Sequence, residues 1–70
     1  MDEDRLRLVK LIEHWIAHNN EHGGRFSEEA DKAEKLGFKD VAVELYNASK
    51  ASGVVSEKLS KALKLLGESV

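Results

Sequence analysis

The residues whose type and spacing offer a chemistry are three histidines, His14, His18 and His22, each four positions from the next in EHWIAHNNEH, with no histidine elsewhere. Neutral imidazole ligates zinc, nickel and cobalt, and two histidines at i and i+4 of a helix stand one turn apart, near enough to hold one ion. His14 and His22 are separated by about 12 Å of axial rise, too far to share an ion on a straight helix. One helix therefore supplies two of the three. His18 and His22 are the expected metal-ligating pair, with His14 and Glu21 as secondary candidates. Further donors would come from Glu21, from Glu13, or from a second copy that doubles the pair across a dimer axis.

Catalytic readings of the same stretch lack their other parts. HNNEH, His18 to His22, fits the H-x-x-E-H arrangement of inverted zinc peptidases. Metal-assisted hydrolysis also needs a third protein ligand and a substrate cleft, and a hairpin of 70 residues offers neither. Di-iron helix bundles use Glu-x-x-His pairs, yet neither Glu13 nor Glu21 has a histidine three residues on. The serines lie in no nucleophile elbow, and Gly23-Gly24 is too short and lacks the lysine of a phosphate loop. No catalytic residue and no enzyme activity is expected. Without a metal, His14 reads as solvated, His18 as boundary, and His22 as a polar seam residue beside Asn19 and opposite Ser52, fixing register or responding to pH near about 6.5.

Composition narrows the setting. A monomer of 70 residues buries a modest share of its surface, and with no cysteine its available reinforcements are a metal or a partner chain. Charged residues make up 34% of the chain with a net charge of −2, which gives no pull toward nucleic acid or anionic membrane. No apolar run approaches the roughly 18 residues that cross a bilayer, and the acidic start MDEDR is the opposite of a signal peptide. The expectation is a soluble cytoplasmic protein that is complete as it stands.

The elements that must position the histidines are helices. Proline is absent, and Ala, Leu, Glu and Lys abound. Leu8, Ile12, Trp15, Asn19, His22, Phe26, Ala30 and Ala33, ending near Leu36, recur at steps of three and four, and so do Val41, Leu45, Ala48, Ser52, Val55, Leu59, Ala62 and Leu66. KLGF between them carries a C-terminal stop, with Gly37 free for the left-handed conformation, Phe38 placed to pack back, and Asp40 able to cap or charge the next helix start. The spacing predicts an all-α, antiparallel helical hairpin of two long arms, 4–36 and 39–67, as a single domain over 1–70. Gly23-Gly24, at about 1 kcal/mol each, leave the first arm either continuous or broken, with Ser27 able to cap a restarted helix. The rival architecture is a monomeric three- or four-helix bundle with breaks at 23–24 and 53. Val9, Ile16, Val43, Val54 and Leu65 fall off the expected seam, and pairing two hairpins into a homodimeric four-helix bundle would cover them. Tyr46 is expected at the surface or at an interface. Glu28 with Lys32, Asp31 with Lys35 and Glu57 with Lys61 read as solvated helix pairs.

LIEHWIAHNNEH, AEKLGFKDVAVELYNAS and LSKALKLL together resemble a small helical domain of unknown function with a His-Trp-Ile-x-His-Asn-x-x-His motif, held here by His14, Trp15, Ile16, His18, Asn19 and His22. The resembled domain occurs alone or behind small nickel-binding accessory proteins of the carbon monoxide dehydrogenase type. Gly23-Gly24 and Gly53 depart from the helix-forming residues expected there. The resemblance implies nickel or a related metal without assigning ligands, and a metal-handling protein as partner. Both lines lead to one expectation, a non-enzymatic metal-binding or metal-handling accessory module using nickel, zinc or cobalt. The alternative is a structural dimerisation or protein-interaction module with no metal.

Overall fold

The computed structural model describes residues 2–68. They form two helices, α1 (Asp2–Lys35) and α2 (Lys39–Glu68), packed antiparallel in a rod of 53 × 14 × 10 Å. This is the expected hairpin of two long arms. Helix α1 opens on Asp2, Glu3 and Asp4 and closes on Lys32 and Lys35, so both ends complement its dipole. The chain then turns on a Schellman motif. Gly37 sits at φ 90°, its N–H donates to Glu34 O at 3.0 Å, and Phe38 N–H donates to Ala33 O at 2.9 Å. Phe38 also accepts the first bond of α2, from Ala42 N–H, which places Asp40 in the first turn as a charge and not as the cap. The ring of Phe38 is exposed and does not pack back.

Neither glycine site breaks a helix: α1 runs through Gly23-Gly24 and α2 through Gly53. Gly23 has a positive role. A Cβ placed there would lie 3.1 Å from Ser52 Cβ, so the missing side chain is what lets the two helices approach.

The seam differs in part from the expected stripes. On α1 the buried and half-buried line is Arg5, Val9, Ile12, Ile16, Asn19, Gly23, Phe26, Ala30 and Ala33, with Ser27 half-buried beside it. Val9, Ile16 and Gly23 therefore take the places expected for Leu8, Trp15 and His22. On α2 the line is Ala42, Leu45, Ser49, Ser52, Ser56, Leu59, Leu63 and Leu66, with Val41, Val55 and Ala62 displaced to the outside and Ala48 half-buried at the edge. Both lines keep an unbroken three-four alternation, the heptad spacing of side-by-side helices. On α2, and on α1 as far as Gly23, one of the two seam positions per heptad was correctly placed and the other is the next residue along, while Phe26, Ala30 and Ala33 all lie where they were expected. Val43, Val54 and Leu65 are exposed, as expected.

Small residues explain the rotation. Gly23, Ala30, Ala33, Ala42 and Ser52 are buried and allow close packing along the seam, whereas the bulkier Leu8, Trp15 and Val55 are pushed to its flank. Polar bonds fix the same alignment. Asn19 Nδ2 donates to Ser52 O at 2.6 Å and to Ser56 Oγ at 2.8 Å, and Ser49 Oγ donates to Gly23 O at 2.9 Å. At the open end, Arg5 donates through Nε and Nη2 to Leu66 O, at 3.0 and 2.8 Å, in the last turns of α2. No described helix is long and apolar enough to cross a membrane.

Candidate functional site

The histidines lie on α1 as a ladder one turn apart, and all three are exposed. His14 and His18 stack with ring centroids 5.9 Å apart and planes at 16°. His18 and His22 meet edge to face, centroids 4.4 Å apart and planes at 89°. The ladder ends on half-buried Phe26, 6.2 Å from His22. His22 thus stands beside the seam, and Gly23 is the residue that faces Ser52.

One contact in the ladder carries chemistry: Nε2 of His18 lies 2.9 Å from Nε2 of His22. As a hydrogen bond it requires one ring to be the Nε2–H tautomer and the other to present a bare Nε2 lone pair. The same separation also fits a chelate. Two imidazole nitrogens bound at about 2.0–2.1 Å lie roughly 2.9 Å apart at a right angle and roughly 3.3 Å apart at a tetrahedral one. Moving the shared proton to Nδ1 of its own ring, through solvent, and turning both rings until their Nε2 lone pairs converge makes the pair two ligands. His14, stacked on its neighbour, does not share in this contact. Glu21 is exposed, and among the described residues no three His, Cys, Asp or Glu side chains gather closely enough to hold an ion. The hairpin therefore supplies two donors and leaves the rest of a coordination sphere open.

The two flanks of the seam differ. On one, Tyr46 OH donates to Asp31 Oδ1 and also lies 3.4 Å from Glu34 Oε2, while Ser56 Oγ donates to Asn20 Oδ1. On the other, a groove of about 500 Å³ is lined by His22, Arg25, Phe26, Glu28, Glu29, Lys32 and Leu45. His18 and His22 belong to this second flank. So do exposed Leu8, Leu11 and Trp15, since 8, 11, 15, 18 and 22 form a second three-four line beside the seam. Of the expected helix pairs, Lys32 instead reaches Glu29, at 3.4 Å and well exposed, so it adds little to stability.

The tyrosine contact was legible only in part, since Tyr46 was expected at the surface but its acidic partners lie across the hairpin. Its hydrogen bond to Asp31, then partial desolvation and the charges of Asp31 and Glu34, push its pKa up to about 12. Because the folded value exceeds the unfolded 10.0, this contact stabilises the hairpin below pH 10 and is lost as pH rises toward 12. With a single tyrosine in the chain, the ultraviolet absorbance of tyrosinate reads it directly. The folded protein should titrate near 12, and Asp31→Asn should move the midpoint down toward 10.

A family model described as "Domain of unknown function (DUF8180)" matches residues 8–66. An uncharacterized protein of Archaeoglobus fulgidus is 36% identical over 61 residues, covering 87% of this chain and 97% of that protein. No solved structure matches.

Proposed function

The chain belongs to that family of unknown function, whose description carries no activity, and we propose from its own geometry that it is a non-enzymatic metal-handling accessory module. The observation that supports this reading is the 2.9 Å approach of the His18 and His22 Nε2 atoms on an exposed helix face. Two convergent imidazoles hold a divalent ion without saturating it, leaving positions for water or for donors of another protein. Such a half-filled sphere suits an ion that is passed on more than one used in place. Nickel is the first ion to test, because the His-Trp-Ile-x-His-Asn-x-x-His stretch resembles domains that occur behind nickel-binding accessory proteins. Zinc and cobalt suit the same donors.

The second reading is a metal-free dimerisation or interaction module, and the same contact supports it, because the hydrogen bond between the two rings satisfies both without an ion. Titration of nickel and of zinc into the metal-free protein, followed by the histidine ring signals and the melting temperature, separates the two. Metal handling predicts perturbed His18 and His22 signals, a smaller effect on His14, and stabilisation of about 2.7 kcal/mol at a hundredfold excess over the dissociation constant. Unchanged signals and melting at millimolar metal would leave the interaction module as the function.

A further inference from the structure

The hairpin is thin. Ile12, at 5% exposure, is the one large apolar side chain buried among the described residues, while Leu8, Leu11 and Trp15 are 41, 40 and 46% exposed. The accessible surface is 5547 Å², about 1,200 Å² more than a compact monomer of 7.8 kDa presents. A standard interface removes about 800 Å² from each partner, so the excess is large enough for one stable dimer contact.

The exposed apolar residues concentrate on the histidine flank. Leu8, Leu11 and Trp15 from α1 lie there, and Val55, Ala62 and Leu65 from α2 share it, being at the equivalent heptad positions of an antiparallel pair. The line on α1 has a direction: acidic Asp4, then Leu8, Leu11, Trp15, then His18 and His22, then the charged Arg25, Glu29 and Lys32. Reversed about its midpoint near residue 13, the segment from 4 to 22 is complementary to itself. Leu11 meets Trp15, Leu8 meets His18, and Asp4 meets His22. The charged half of the line stays outside this overlap, in water.

We infer that a second copy of this chain docks on that flank, α1 against α1 and antiparallel, about a two-fold axis near residue 13. The contact is isologous and closes at two chains. An axis placed at the histidines would instead set Leu11 against Glu29 and bury charge without a partner. A consequence rests on the metal reading: the two histidine pairs do not merge into one four-histidine site. Each His22 faces Asp4 of the other copy while His18 faces Leu8, so the second chain brings an oxygen donor to one end of each pair. The His22 residues of the two copies are about 27 Å apart along the rod, from 18 residues at 1.5 Å each.

The test uses the full chain in chelator, so that the interface is read without metal. Sedimentation equilibrium at tens of micromolar should give the dimer mass. Leu11→Arg and Trp15→Arg should weaken association about 100-fold while circular dichroism keeps the helical signal, since neither residue lies in the hairpin seam. Val54→Arg, an exposed apolar site off the line, should leave association unchanged. A nitroxide on the His22→Cys variant should report a separation near 27 Å. Monomers throughout, equal disruption by Val54→Arg and Leu11→Arg, or labels within about 15 Å as in a bundle that sets the histidines side by side, would overturn the inference. A dimer with these properties that takes up no nickel keeps the interface and removes the metal site; a monomer that binds nickel through His18 and His22 does the reverse.

Discussion

Gly23→Leu should lower the stability of the hairpin by about 3 kcal/mol, while Gly24→Ala, one residue away, should raise it by about 1 kcal/mol. Both substitutions improve helix propensity, so the difference between them isolates packing. At Gly23 a Cβ would stand 3.1 Å from Ser52 Cβ, 3.6 Å from Ser52 Oγ and 3.9 Å from Ser49 O. The rest of a leucine would have to force the helices apart and break the bonds of Asn19 and Ser49 across the seam. At Gly24 an added Cβ would meet no side chain beyond its chain neighbours and no atom of α2 within 4 Å among the described residues, and a methyl there only removes freedom from the unfolded chain. Thermal unfolding should show a fall of about 15 °C for the first and a rise of about 5 °C for the second. A rise in both would mean that the close approach at Gly23 does not hold the helices.

Ile12→Ala should cost about 3 kcal/mol, set by the lost apolar burial and by how little a two-helix seam can collapse around the gap. Val54→Ala, on a side chain 54% exposed, should change stability by less than about 0.5 kcal/mol. Urea unfolding of both variants measures the contrast. Similar losses at the two positions would show that the seam is not where the exposures put it.

The hairpin was legible because its signals are local: the absence of proline, the helix formers, and the Lys-Leu-Gly-Phe stop that becomes the Schellman turn at Gly37. The rotation of each helix was harder to read. Trp15 and Leu8 are larger and more apolar than Gly23 and Val9, so a stripe chosen by hydrophobicity runs through the former. The molecule ranks close approach first; of the small residues on that line Ala30, Ala33 and Ser52 stood in the expected stripes, whereas Gly23 and Ala42 mark it only once the partner helix is known. The polar bonds of Asn19, Ser49, Ser52 and Ser56 follow the same logic, and a mid-seam role for Asn19 and Ser52 was visible while the contact of Ser49 with Gly23 was not. For the histidines, i and i+4 spacing gave two neighbouring pairs one turn apart, because helix geometry alone sets that, and it did not distinguish His18 and His22 from His14 and His18. It did not give the stacking of His14 or the side of the hairpin on which the pair lies.

Calorimetric titration of nickel into the wild type and into His14→Ala, His18→Ala and His22→Ala tests the metal-handling account most directly. If the edge-to-face pair is the chelate, His18→Ala and His22→Ala should each lose affinity about 100-fold, equal to about 2.7 kcal/mol, and His14→Ala should lose less than about threefold. Equal losses at all three histidines, or an affinity unchanged by removing His18 and His22, would contradict it.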